Sequence, residues 1–188
     1  MQIRLKIVLG NEILSGAITG RNALGKLLDI IDKKIGEPEI VFIDFGGIEV
    51  ATASFLRECV LEFRNTVRRR WPQYYPVIAN ANDVIIEELS ILLESQRDVL
   101  MICTLDKNGK VTSSYIIGSL DPKQKVTYEL VNKRGETDAS ELMRNSADSD
   151  LVGQTAWNNR LASLTKLGLL VELSQGRAKR YRPLFLGG

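Results

Sequence analysis

The chain has 188 residues, 44% of them hydrophobic and 26% charged, with a formal net charge of +2. That length suffices for one large or two small domains, and that balance describes a chain that folds in water. Histidine is absent, which removes histidine acid–base catalysis, Ser-His and Cys-His nucleophile pairs and histidine-containing metal sites.

The two cysteines, Cys59 and Cys103, lie far apart in apolar sequence. They are expected to be buried free thiols, which fits a reducing compartment. No signal peptide is recognisable, and the apolar runs fall short of the roughly 20 residues that span a bilayer. A cytoplasmic location is therefore expected.

Residues 2–9 alternate polar and apolar and predict a half-buried strand. Residues 10–20 hold three glycines and read as a loop. Leu24, Leu27, Leu28, Ile31 and Ile35 recur at helical spacing and predict a helix over about 21–34, closed by Gly36 and Pro38. Residues 39–45 are nearly continuously apolar, the mark of a central strand covered on both faces. A turn follows at Gly46-Gly47. A long helix is predicted over 53–70, burying Leu56, Cys59, Val60, Phe63 and Val67 and ending in the triplet Arg68-Arg69-Arg70, which reads as a solvated cap or, alternatively, a binding patch.

Pro72 and Pro76 bracket a connector before a short strand at 76–81. A helix over 83–96 starts at Asp83 as its cap and buries Val84, Ile85, Leu89, Leu92 and Leu93. Strands 99–105 and 110–118 flank Asp106-Lys107-Asn108-Gly109, where Asn-Gly favours a type I′ hairpin turn. Strands alternating with helices, then a hairpin, imply an α/β layer. Leu120-Asp121-Pro122 marks a boundary, giving domains 1–120 and 121–188.

Beyond the boundary come helices at 123–134, near 138–145 and at 154–167, with Asp148-Ser149-Asp150 read as a turn. In the third helix Trp157, Leu161 and Leu164 share one face at about 100° per residue. Thr155, Asn159, Ala162 and Lys166 take the opposite face, with Asn158 and Ser163 beside them. Gly168 ends it. Strands at 169–173 and 178–185 flank the turn Gln175-Gly176-Arg177, with Arg180 and Arg182 on one face and Tyr181 on the other. Residues 1–120 carry 14 basic and 15 acidic groups, whereas residues 151–188 carry six basic groups and one acid, Glu172.

A helix with a narrow apolar stripe followed by a basic hairpin describes a recognition helix and a wing. Asn pairs with the adenine edge, Thr and Ser reach bases or phosphates, and Arg and Lys neutralise phosphates. The expected DNA contacts are Gln154, Thr155, Asn158, Asn159, Ser163 and Lys166 on the helix, with Arg177, Lys179, Arg180 and Arg182 on the wing. A small helical domain with an ordinary solvated hairpin, or a winged helix that docks protein, fits the same pattern.

The segment IVFIDFGGIEVATASFLREC, residues 40–59, resembles the core of STAS domains, the fold of bacterial anti-sigma-factor antagonists. Asp44-Phe45-Gly46 matches that family's strand end. Thr52 stands at the family's Asp, Ala53 at its first Ser, Phe55 at its Gly, and Ser54 at its second Ser, the phosphoacceptor. A closer likeness is to STAS-like domains of unknown function, whose helix begins with a Ser-Phe pair such as Ser54-Phe55 and which place an Asn where Asn80 stands. The likeness covers about residues 20–100. Separately, TAWNNRLASLTKLGLL resembles winged-helix recognition helices.

The resemblances imply an α/β fold: a STAS-like layer of mixed sheet and helices, then a small α+β winged helix. They imply a regulatory protein partner for the first domain, such as a histidine-kinase-type ATPase, at a site of Asp44, Ser54 and Asn80. Read by themselves, Ser54 caps its helix, Asp44 forms a turn and Asn80 ties down a loop. The functional expectation is a non-enzymatic transcriptional regulator that binds double-stranded DNA, with no cofactor and no metal. A protein-interaction adaptor without DNA contact is the alternative. An enzyme ranks last, because no phosphate loop, metal-ligand spacing or nucleophile with a base is present. Winged helices often act as dimers on paired half-sites. A homodimer fits, though no dimerisation helix is recognisable.

Overall fold

A computed structural model describes residues 1–31, 36–145, 153–175 and 178–185. The chain divides into two compact units, Met1–Ser119 and Leu120–Gly188. Its class is mixed α/β, with a mostly parallel sheet and flanking helices.

The first unit begins with β1 (Gln2–Arg4), α1 (Leu5–Leu9), β2 (Ile13–Leu14), α2 (Ala17–Ile30), β3 (Glu39–Asp44) and β4 (Val50–Ala51). It continues with α3 (Ala53–Phe55), a π-helical stretch Leu56–Leu61, α4 (Glu62–Arg70), β5 (Tyr74–Ala79), α5 (Asp83–Gln96), β6 (Val99–Leu105) and β7 (Val111–Gly118). Five strands form one sheet in the order β1-β3-β5-β6-β7, parallel except for the last pair. The register aligns Ile3, Ile43, Ile78 and Ile102 in a single row across four strands. Branched residues pack well on a pleated surface. The row packs in one core with Leu27 of α2, Leu56, Val60 and Phe63 of the long helix, and Ile85 and Leu89 of α5. Helices α2 to α5 therefore cover the face on which this row lies.

Several sequence expectations are corrected. The strand expected over residues 2–9 stops at Arg4, and Leu5–Leu9 is helical. Ile7 is 72% exposed while Leu5 is fully buried, so the alternation there did not mark one buried face. Helix α2 starts at Ala17, inside the stretch read as loop. Gly20 lies within it because the long helix passes close by. A Cβ on Gly20 would lie 3.1 Å from the Phe55 carbonyl oxygen and 3.0 Å from Glu58 Cβ. Ile35 lies outside the described residues.

Strand β5 starts at Tyr74, ahead of the expected position, and runs through Pro76. Its pairing with β6 covers only Ile78 and Ala79, so the N–H that proline lacks falls where β5 is paired on one side alone. The cap of α5 is Asn82, whose Oδ1 accepts from Ile85 N at 3.0 Å, rather than Asp83. Val84 is 52% exposed rather than buried. In the hairpin, Gly109 takes φ +76 and Asn108 has no positive φ, so the turn is not type I′. The Asp106 carboxylate holds it instead, accepting from Asn108 N and Lys110 N, both at 2.8 Å.

The arginine triplet is not uniformly solvated. Arg68 donates to the Tyr74 carbonyl at 2.7 Å and stacks 4.1 Å from the centroid of the Tyr75 ring, while Arg69 and Arg70 are exposed. A partly buried ion pair that no local sequence pattern announces joins Arg64 to Asp98.

The second unit comprises α6 (Pro122–Arg134), α7 (Ala139–Asn145), α8 (Gln154–Lys166) and the antiparallel hairpin β8 (Leu170–Gln175) and β9 (Ala178–Pro183). Asp121 and Gln124 form a capping box at the head of α6. Asp138 caps α7, accepting from Ser140 N at 2.8 Å and Glu141 N at 2.9 Å. Gly168, at φ +81, closes α8 in a Schellman motif: its N–H reaches Thr165 O and Leu169 N–H reaches Leu164 O, both at 3.0 Å. Val131, Leu142, Trp157, Leu161, Leu164, Leu170 and Tyr181 are buried. Thr137 adds a single antiparallel bridge to Tyr181. The expected turn at Asp148-Ser149-Asp150, and Gly176 and Arg177 of the wing turn, lie outside the described residues.

Candidate nucleic-acid interface and candidate partner site

Helix α8 carries the first candidate surface. Burial of Trp157, Leu161 and Leu164 fixes its rotation. Thr155, Asn158, Asn159, Ala162 and Lys166 are consequently exposed. No hydrogen bond or ion pair within the described residues occupies the side chains of Thr155, Asn158, Asn159 or Lys166. Two other expected contacts are engaged internally. Gln154 Nε2 donates to Ser140 Oγ at 2.8 Å, tying the head of α8 to α7. Ser163 Oγ accepts from Gln124 Nε2 at 2.9 Å, tying α8 to α6. Arg160, one of the six basic groups of residues 151–188, lies 4.8 Å from the centroid of the Trp157 ring.

The hairpin differs most from expectation. Arg180 is not a solvated wing cation. Its Nε donates to Glu136, its Nη1 to Asp138 Oδ2 at 3.3 Å and Glu141 Oε1 at 3.1 Å, and its Nη2 to Glu141 Oε2 at 3.4 Å. Thr137 Oγ1 adds a fourth partner to this group, donating to Glu141 Oε2 at 3.0 Å. Arg180 holds the Glu141 carboxyl below its ordinary range, and the same carboxylates hold the Arg180 guanidinium above its own. Lys179 pairs with Glu172 at 2.8 Å. Arg182 is half-buried and has no carboxylate partner among the described residues. Tyr181 points into the core, and its hydroxyl is pushed up to about 12, first by burial and then by Glu172.

The basic surplus counted in the sequence is therefore partly neutralised within the fold. Glu136, Asp138 and Glu141 lie outside residues 151–188, the segment that carries the basic surplus. Their spacing before a helix reads as capping and carries no signal of an arginine partner 39 or more residues away.

In the first unit, Asp44 and Asn80 are joined by a hydrogen bond, and the hydroxyl of Ser54 is bonded to Thr52. Asp44, 6% exposed, ends β3 and accepts three hydrogen bonds. Gln2 Nε2 reaches its Oδ2 at 2.7 Å, while Gly46 N at 2.9 Å and Asn80 Nδ2 at 2.8 Å reach its Oδ1. Asn80 has a left-handed backbone, φ +53, and its Oδ1 accepts from Leu105 N at 2.8 Å. It thus links the C-terminal ends of β3, β5 and β6. Cys103 pairs in register with Ala79 beside this group; burial, with the Asp44 charge added, pushes its thiol up to about 12.

Ser54 lies in the first turn of the long helix. The N-cap is Thr52, and Ser54 accepts no backbone N–H as a cap. Its hydroxyl shares a hydrogen bond with Thr52 Oγ1 at 3.1 Å, and Gly16 N donates to the same Thr52 oxygen at 3.3 Å. Exposed apolar side chains lie on the elements nearby. Ile13 (61% exposed) and Val50 (38%) are register partners across β2 and β4. Val84 (52%) lies in the first turn of α5, whose cap Asn82 donates to the Ile48 and Glu49 carbonyls.

Among the described residues no group of three or more Cys, Asp or Glu is placed to hold a metal ion, and no helix is long and apolar enough to cross a membrane. No protein-family model matches the chain, and no curated protein is detectably similar to it.

Proposed function

We propose that this chain is a non-enzymatic regulator of transcription. Residues 121–188 act as a winged helix-turn-helix that binds double-stranded DNA, and a STAS-like unit over residues 1–120 receives a protein partner. The observation that carries this reading is the outward face of α8. Thr155, Asn158, Asn159 and Lys166 are exposed on a helix whose opposite face is fixed in the core. Amide and hydroxyl side chains held outward on a rigid helix can hydrogen-bond base edges in the major groove, and lysine can meet phosphate. Arg182 and Lys166 are the phosphate contacts of first choice, since Arg180 is held by three carboxylates.

The partner site is the neighbourhood of Ser54. Exposed Ile13 and Val50 offer apolar contact area there. By family resemblance the partner is a histidine-kinase-type ATPase, and a phosphate on Ser54 would stand at the positive end of the long helix.

Fluorescence anisotropy of the full chain with a random duplex DNA pool tests the DNA reading. Binding at low salt that weakens when Asn159 and Lys166 become Ala is expected. No binding at low salt, or binding indifferent to both substitutions, rejects it. A second reading, a protein-docking adaptor with no DNA contact, is favoured by the neutralisation of Lys179 and Arg180 within the fold. It requires partner capture that survives nuclease treatment.

A further inference from the structure

We propose that β7 is a self-association edge, at which two copies of this chain pair their β7 strands antiparallel about a two-fold axis and join two five-stranded sheets into one. The inference stands on the first unit alone and does not depend on DNA binding.

Strand β7 is the last in the sheet order and pairs only with β6. The backbone N–H and C=O groups on its far side have no partner among the described residues. Exposed edges invite pairing with another chain, and proteins blunt them by shortness, charge, proline or bulges. The opposite edge, β1, is blunted: it has three residues, one of them Arg4. Strand β7 has eight residues, VTSSYIIG, with no charged residue and no proline. The one irregularity of its ladder falls at the hairpin end, between Thr104 and Leu105. Tyr115 is 46% exposed, and Thr112 and Ser113 are exposed with it.

Charge placement favours a second copy in the antiparallel sense. Asp106, Lys107 and Lys110 lie at the hairpin end of the strand and leave it one net positive charge. A parallel pair would bring the two net-positive ends together. An antiparallel pair separates them by the strand length, roughly 27 Å for eight residues at about 3.4 Å each. The uncharged middle of the strand then faces itself, and two-fold contacts of this self-complementary kind are the commonest in homo-oligomers.

Sedimentation velocity of the full chain over a wide concentration range tests the proposal. The mass is expected to rise towards twice that of one chain. A Ser113→Lys/Tyr115→Lys variant, which sets like charges on one face of the paired strands, is expected to need at least tenfold higher concentration to do so. A chain that stays monomeric throughout overturns the proposal and leaves the edge to an extended segment of another protein. A variant that associates like the parent also overturns it, because the contact then lies elsewhere. Hydrogen exchange of the unsubstituted chain gives an answer independent of the variant's folding. Amides of residues 111–118 are expected to exchange more slowly at high than at low concentration, and equal rates would contradict the pairing.

Discussion

Arg180 of β9 and Glu141 of α7 meet at two points, Nη1 to Oε1 at 3.1 Å and Nη2 to Oε2 at 3.4 Å. The fork of the guanidinium matches the carboxylate, so the pair fixes geometry as well as charge. It ties the hairpin to the helix that precedes α8, and the guanidinium is committed to protein rather than offered to phosphate. Arg180→Ala is therefore expected to lower the melting temperature of the second unit. The salt dependence of DNA binding by the fraction that remains folded should stay unchanged. Differential scanning calorimetry and anisotropy across a salt series measure the two effects separately.

Acid should loosen the same tie. The Glu141 carboxyl is lowered from its ordinary 4.5, first by its hydrogen bonds to Arg180. A depressed carboxylate binds its proton more weakly folded than unfolded, so its contribution to stability is complete above that ordinary value. The contribution is lost as the pH falls from there through the lowered one. Melting curves of the unsubstituted protein should thus drop over this acid range. A Glu141→Gln variant should start lower and drop less. An equal drop in both would show that Glu141 is not the titrating group.

Asn80 joins three strand ends through one side chain. Replacing it by Ala strands the Leu105 N–H, removes a donor from Asp44 and leaves a Cβ in a left-handed backbone. A loss of about 2–4 kcal/mol is expected from the unsatisfied donor and the backbone strain together. Asn80→Gly removes the same hydrogen bonds and relieves the backbone, so it should be about 1 kcal/mol milder. Urea denaturation of both variants checks the order, and a glycine variant as unstable as the alanine variant would contradict it.

Burial pushes both the Cys59 and Cys103 thiols up to about 12. The thiolate is the reactive form. At pH 8 neither cysteine should react with a disulfide reagent in the native protein, and both should react after unfolding in guanidinium. Prompt labelling of one thiol in the native state would show that its site opens locally.

Much of the secondary structure could be read from the sequence, because periodic burial writes itself into residue spacing. The stripe Leu56, Cys59, Val60, Phe63 and Val67 is buried as its spacing implies, and Trp157, Leu161 and Leu164 likewise set the rotation of α8. The misreadings have local causes. Gly20 resembled a loop residue because a glycine demanded by close helix packing looks the same in sequence as one demanded by a turn. Leu5–Leu9 resembled a strand because a five-residue helix is too short to display its period.

The site was less legible. Arg180, Glu136, Asp138 and Glu141 meet only through the fold, and no local pattern announces an ion pair across 39 to 44 residues. Gln154 and Ser163 likewise looked free because their partners, Ser140 and Gln124, lie on other helices. Asn158, Asn159 and Lys166 follow from helix geometry alone, and they remain the core of the DNA reading.

The slope of log affinity against log salt for duplex DNA tests the central claim most directly. It should be measured for the unsubstituted chain and for Lys166→Ala/Arg182→Ala. Each phosphate contact contributes roughly −0.9 to that slope. A steep slope that becomes shallower by about 2 units in the double variant is the expected result, as each contact contributes about one. No affinity at low salt, or a slope unmoved by the two substitutions, would contradict the assignment of α8 and its hairpin to DNA.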